Sequence, residues 1–220
     1  MTYEPTAGNK RRAAEAALPW LKGHEVVGIG TGSTIEPLID FIGADRGGLR
    51  GVVSSSNRST RRLEAAGIRV MDLNDVGELP VYIDGADQTN ASRQLIKGGG
   101  GALTREKIIA ECSRVFVCIV DATKLVPTLG TYPLPVEIIP MARTFVAGRL
   151  TALGGQPVLR AGYVTDNGNQ ILDVHDLVIE DPPALESALN QIPGVVTAGL
   201  FAHRPADVLL IGGDSGVQRI

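Results

Sequence analysis

A lysine followed by four glycines, Lys97-Gly98-Gly99-Gly100-Gly101, is the most unusual stretch in the sequence. Consecutive glycines are costly to order, so their presence in a compact chain points to backbone that must approach a ligand closely. The Lys97 ammonium and the amides of the glycine run have the donors an oxyanion hole needs. Just beyond, Leu103-Thr104-Arg105-Glu106-Lys107 reads as the start of a helix with Glu106 in its first turn. There a carboxylate is either a base for proton abstraction or an acid complementing the helix dipole, and the second is the ordinary role of a single glutamate. A helix N-terminus also favours the ionised form, so a poised base needs desolvation to offset it.

Three further segments carry groups that can do chemistry. Gly28-Ile29-Gly30-Thr31-Gly32-Ser33-Thr34 leaves an apolar run and enters a helical one, so its amides and hydroxyls can hold a phosphate. The plain alternative is a tight turn capped by Ser33 or Thr34. A dinucleotide reading fits less well, because Ser33 stands at the third glycine and Ser54-Ser55-Ser56 ends the next strand in place of a ribose-binding acid. A Walker-type loop is excluded, since no Gly-Lys-Ser/Thr follows. Asp84-Gly85-Ala86-Asp87 ends the run Val81-Tyr82-Ile83 and offers two carboxylates for sugar hydroxyls or proton transfer, or else an Asp-Gly turn with solvated acids. Asp121-Ala122-Thr123-Lys124 follows another strand, and Lys124 is either a phosphate partner or a solvated charge. No metal-ligand spacing accompanies these acids.

All four segments need strands behind them. Apolar runs at 25–29, 50–54, 80–84 and 114–120 alternate with helical patterns at 34–42, 59–66 and 104–112, which is the signature of a parallel sheet covered by helices. A first helix at 9–21 should kink or end early at Pro19, and the run 206–212 can return to the same sheet. From about Thr131 the rhythm becomes strand 136–139, helix 142–153, strands 158–160 and 171–178, helix 183–191 and strand 195–200. That order, βαββαβ with Asp166-Asn167-Gly168-Asn169 as a turn, matches the ferredoxin-like unit. The fold class is therefore α/β: a Rossmann-like, mostly parallel sheet domain (1–130 plus 205–220) with an inserted smaller ferredoxin-like α+β domain (131–204).

Composition narrows the function. A net charge of -3 and a pI near 5.6 give no basic field for nucleic acid, and no basic cluster exceeds Lys10-Arg11-Arg12. Met1 to Arg12 is polar, without the apolar core of a signal peptide, and no apolar run is long enough to span a bilayer, so a cytoplasmic protein with no membrane partner is expected. Cys112 and Cys118 fit no redox or zinc spacing and read as structural thiols. His24, His175 and His203 lie outside the four segments.

Taken together, GTGST at 30–34, SSSN at 54–57, DGAD at 84–87, KGGG at 97–100, LTREK at 103–107 and DATK at 121–124 resemble the type A ribose-5-phosphate isomerases. The similarity runs on through PLPVEIIPMAR at 133–143, TDNGNQILDVH at 165–175 and IPGVVTAGLFAHRPADVLLIG at 192–212, nearly the whole chain. The resemblance implies an aldose-ketose isomerase that interconverts D-ribose 5-phosphate and D-ribulose 5-phosphate through an enediolate, in the pentose phosphate pathway, with no metal or other cofactor. It implies that Glu106 is the base moving a proton between C1 and C2, and that Asp84 and Asp87 assist ring opening and handle hydroxyl protons. Lys97 with Gly98 and Gly99 matches the oxyanion element. Thr31, Gly32, Ser33, Thr34, Lys124 and Lys10 match phosphate and substrate contacts, and Gly85, Ala86 and Gly100 complete the substrate-binding segments. A homo-oligomer, dimer or tetramer, is also implied. The sequence departs from the family at Gln88-Thr89-Asn90, where Glu-Ile-Asn is usual, at Gly101, where alanine is common, and at Gly213-Asp214-Ser215-Gly216. A sugar-phosphate sensor is the rival from another class, but Glu106 and Lys97 are both present and no helix-turn-helix precedes them. A deaminase or acyl-CoA transferase is a second rival, the former weakened by the lack of a nearby histidine.

Overall fold

The computed structural model describes residues 7–220; the first six residues, part of the polar start considered above, lie outside the described residues. In chain order the elements begin with α1 (Ala7–Ala17), β1 (Val26–Ile29), α2 (Ile35–Ala44), β2 (Gly51–Ser54), α3 (Asn57–Ala65), α4 (Leu73–Val76) and β3 (Leu79–Asp84). β4 (Gln88–Thr89), β5 (Leu95–Ile96), α5 (Leu103–Glu111), β6 (Ser113–Asp121), β7 (Leu134–Ile138), α6 (Arg143–Ala152) and β8 (Gln156–Leu159) follow. The remainder are β9 (Gln170–His175), α7 (Pro182–Asn190), β10 (Val195–Ala198), β11 (Leu200–Phe201), β12 (Val208–Gly213) and β13 (Gly216–Arg219). Two compact units result: the residues up to Ala86 with Arg105–Leu125 and Ala206–Ile220, and Asp87–Thr104 with Val126–Pro205.

The first unit is a six-stranded sheet in the order β13-β12-β6-β3-β1-β2, parallel throughout except for the β12–β13 hairpin. Its parallel strands are continuous buried runs, as a sheet without a solvent face requires. Ala13, Ala14 and Ala17 of α1 and Ile35, Leu38, Ile39 and Ile42 of α2 join Val27, Ile29, Val81, Ile83, Val117 and Ile119 in one core. α1 stops at Ala17 and gives way to a 3-10 turn over Leu18–Leu21 with Pro19 at its start, where the missing proline N–H costs nothing.

The second unit contains a four-stranded sheet in the order β10-β7-β9-β8 with every neighbouring pair antiparallel, and α6 and α7 connect its strands. This is the ferredoxin-like arrangement, and with the first unit it makes an α/β Rossmann-like fold carrying an inserted small domain. The strand expected over 171–178 ends at His175, because Asp176 takes a left-handed φ of 54°. The strand expected over 195–200 divides at Gly199, and β11 joins a separate small sheet, β11-β5-β4. That sheet groups residues 87–104 with the second unit, whereas the sequence reading put them with the first.

Candidate active site

In the first unit β1, β2, β3 and β6 run parallel, so the segments after Ile29, Ser54, Asp84 and Asp121 leave the sheet along one edge. The order reverses between β1 and β3, the place where open α/β sheets leave a ligand crevice. Asp84 ends β3 with its side chain fully buried. Its Oδ1 accepts the Thr31 N–H at 2.9 Å and the Gly85 N–H at 2.7 Å, and its Oδ2 accepts the Tyr82 hydroxyl. Residue 30 must be glycine for this to happen, because a Cβ there would fall inside the Asp84 carboxylate. The Thr31 hydroxyl is within hydrogen-bond distance of those of Ser56 and Ser59, which ties the loop to the start of α3. Lys10 Nζ donates to Ser33 Oγ at 2.9 Å. The Ser33 and Thr34 amides, at the N-terminus of α2, meet no acceptor among the described residues. Lys124 stands in a 3-10 turn capped by Asp121, whose carboxylate accepts the Thr123 N–H at 3.0 Å.

Glu106 lies in the first turn of α5 and is only 3% exposed. An acid that only complements a helix dipole can do so at the surface without losing its hydration, so burial sets this one apart. Burial pushes the Tyr82 phenol well above its ordinary pKa, and the charges of Asp84 and then Glu106 push it further, as does its bond to Asp84, against a pull from Ser55. The phenol therefore remains a donor at any working pH, and Tyr82, Asp84 and Glu106 form one electrostatically linked group.

In the second unit the half-buried Asp87 donates its N–H to the Ile96 carbonyl at 2.8 Å, and its Oδ2 accepts the Gly99 N–H at 2.7 Å. A side chain at 99 would collide with both Asp87 and the Tyr132 hydroxyl, so the close approach depends on glycine. Lys97 is 2% exposed, its N–H donates to the Gly199 carbonyl at 2.8 Å, and its ammonium lies 5.6 Å from the centre of the Phe201 ring. Arg160 Nη1 donates to the Gly98 and Gly99 carbonyls, and the Tyr163 hydroxyl donates to that of Gly100. Glu137, fully buried in β7, accepts the Thr104 hydroxyl through Oε2 and the Thr165 hydroxyl and the Asn167 and Asn169 amides through Oε1.

The first unit thus gathers Lys10, Thr31 to Thr34, Asp84, Gly85, Ala86, Glu106 and Lys124; the second gathers Asp87, Lys97 and the glycine run. Sequence reasoning missed Tyr82, Ser59, Glu137 and Arg160. A signal existed for two of them: Tyr82 is two residues from Asp84, hence on the same strand face, and Glu137 is a lone acid in an apolar run. Among the described residues no three His, Cys, Asp or Glu side chains are grouped so as to hold a metal ion, and no helix is long and apolar enough to cross a membrane.

Residues 51–216 match the family of ribose 5-phosphate isomerase A, or phosphoriboisomerase A. The chain belongs to this family. Among solved structures, ribose 5-phosphate isomerase A from Neisseria gonorrhoeae is 47% identical with a TM-score of 0.95, covering 99% of this chain and 98% of that one. Ribose 5-phosphate isomerase A from Methanocaldococcus jannaschii is 36% identical with a TM-score of 0.91, over 96% and 97% of the two chains. A D-ribose-5-phosphate isomerase in complex with phospho-erythronic acid is 35% identical with a TM-score of 0.91, over the same shares.

Proposed function

We propose that this isomerase moves the proton of its sugar phosphate on Glu106. Membership of the family makes the reaction the interconversion of D-ribose 5-phosphate and D-ribulose 5-phosphate, a step of the pentose phosphate pathway. Glu106 takes the C2 proton of the open-chain aldose, the C–H electron pair forms the C1–C2 double bond of an enediolate, and the carbonyl oxygen becomes an oxyanion. Lys97, with those amides of the glycine run that are not bonded to Asp87 or to the Gly98 carbonyl, offsets that charge. Glu106 then delivers a proton to C1, and one of Asp84 and Asp87 carries the hydroxyl proton from O2 to O1 and assists ring opening. The phosphate falls to Thr31, Gly32, Ser33 and Thr34 with Lys10 and Lys124, a helix N-terminus backed by two ammonium groups. A relative's binding of phospho-erythronic acid, a phosphorylated acyclic acid, supports a site for an open-chain phosphate.

The observation that carries the reading is the burial of Glu106 beside Tyr82 and Asp84. Its test is Glu106→Gln, which keeps the shape and removes the basic oxygen. Turnover should fall on the order of a hundred- to ten-thousand-fold, with substrate binding retained and exchange of the C2 proton with deuterated water abolished. A folded variant holding more than about a tenth of the wild-type kcat would pass the base role to Asp84 or Asp87. We place the enzyme in the cytoplasm as a homo-oligomer, dimer or tetramer. The exposed apolar side chains of Ile139, Met141 and Phe145 support self-association, and sedimentation equilibrium reads it directly.

A further inference from the structure

We propose that Arg160, locked by Asp173, is a positioning residue that sets the peptide planes of the glycine run for catalysis. The inference rests on the reading of Lys97 and that run as the oxyanion element. Arg160 follows β8, and its guanidinium grips Asp173 of the adjacent β9 in a fork: Nε to Oδ2 at 2.9 Å and Nη2 to Oδ1 at 2.5 Å. The remaining nitrogen, Nη1, donates to the carbonyls of Gly98 at 3.2 Å and Gly99 at 3.1 Å. All three nitrogens of a planar group are engaged, so Asp173 fixes where Nη1 points. Burial works against the charged guanidinium, but the bond to Asp173 and its charge outweigh this and keep Arg160 protonated.

The consequence runs through peptide geometry. In a trans peptide the C=O and the following N–H point in opposite directions. Holding the Gly98 carbonyl toward Arg160 turns the Gly99 N–H away from it, where it meets Asp87 Oδ2 at 2.7 Å. Holding the Gly99 carbonyl does the same for the Gly100 N–H, and the Gly100 carbonyl is tied in turn by Tyr163 at 3.1 Å. The Gly98 carbonyl also accepts the Gly101 N–H at 2.8 Å, so that turn, with Arg160 and Tyr163, fixes three successive carbonyls of the least restrained residue type, and the donors on the opposite side inherit that order. A lysine at 160 offers one ammonium, which cannot fork onto a carboxylate and reach two carbonyls together.

The test uses the full chain with ribose 5-phosphate, folding being checked by circular dichroism and thermal melting. Arg160→Ala should lower kcat about 10- to 100-fold with KM nearly unchanged, the effect of misplaced rather than missing groups. Amide exchange across residues 97–104 should accelerate while peptides of the first unit stay as they were. Guanidinium chloride at millimolar concentration should restore part of kcat saturably, entering by the cavity of about 260 Å³ that Gly99, Tyr132, Pro133, Arg160, Asp173 and His175 line. Arg160→Lys should stay impaired, and is judged by the same kcat and KM criteria if the alanine variant does not fold. A folded variant that keeps wild-type kcat, a loss confined to KM, or no response to guanidinium overturns the proposal. Lys97→Met separates the two layers: normal kcat there overturns the oxyanion reading, while a crippled Lys97→Met beside an unimpaired Arg160→Ala overturns only the positioning role.

Discussion

Thr31, Asp84 and Glu106 of the first unit are placed by backbone: two follow or end parallel strands and one opens a helix, and the Thr31–Asp84 bond tightens that placement. Lys97 of the second unit is tied by its N–H to the Gly199 carbonyl, whereas Gly98 to Gly100 beyond it are held largely by side chains. Arg160, Tyr163 and Asp87 reach the run from other segments, and Asp173 holds Arg160. A sheet edge delivers groups in fixed order at little extra restraint, whereas a glycine run allows close approach and must then be held from outside. The two devices fail differently. Damage to the first acts through local packing, and damage to the second acts through distant polar bonds.

The largest separation is expected at Glu137. Glu137→Ala leaves the Thr104, Thr165, Asn167 and Asn169 donors without their buried acceptor, and should destabilise the protein by about 3 kcal/mol or more. Chemical denaturation measures it, and a loss below about 1 kcal/mol would mean that water replaces the carboxylate, so that side-chain bonds do not hold the second unit. Gly30→Ala comes next, with an expected loss of about 1–3 kcal/mol as Asp84 is displaced, and a rise in KM as the Thr31 loop shifts. An unaltered melt and KM would show that the first unit's loop is not set by that close approach.

The smallest effect is alkaline. Burial first, and neighbouring acids second, raise the pKa of Tyr82 in the first unit, and burial with the Asp87 charge raises that of Tyr132 in the second. In the unfolded chain both ionise near pH 10, so the stability they contribute is complete below about pH 10 and is lost as pH rises through the folded values. Unfolding free energy should therefore decline above about pH 10, by at most about 1.4 kcal/mol per pH unit for each group. Tyr82→Phe should remove more of this slope than Tyr132→Phe, because Tyr82 is fully buried and bonded to a carboxylate. Equal slopes would erase the distinction between the two sites.

The same contrast explains what could be read in advance. β1, β2, β3 and β6 were legible because continuous apolar runs followed by Gly, Ser or Asp mark parallel strands and their ends, and the motif residues lie at those ends. The order βαββαβ was legible from alternating periods. β4, β5 and β11 have two residues each and carry no period at all, so the sheet that draws 87–104 into the second unit left no trace in the pattern. Arg160 was visible only as the last residue of a strand, since its role depends on Asp173, thirteen residues on, and on carbonyls about sixty residues back. Long-range side-chain bonds have no local signature. Gln88, noted as a lost acid, accepts the Gly130 N–H at 3.0 Å and donates to the Thr131 hydroxyl, so both ends of its amide are engaged.

β12 lies between β6 and β13, and its residues follow Pro205, the last residue of the second unit. On the ribosome, then, every residue of the second unit is made before the first can close its sheet. Until Val208–Gly213 emerges, β6 presents an apolar edge with unpaired amides and carbonyls over Val117–Asp121, a template for wrong partners. The nascent chain is most exposed to aggregation in that interval, when one half is already complete and the other still waits for its strand.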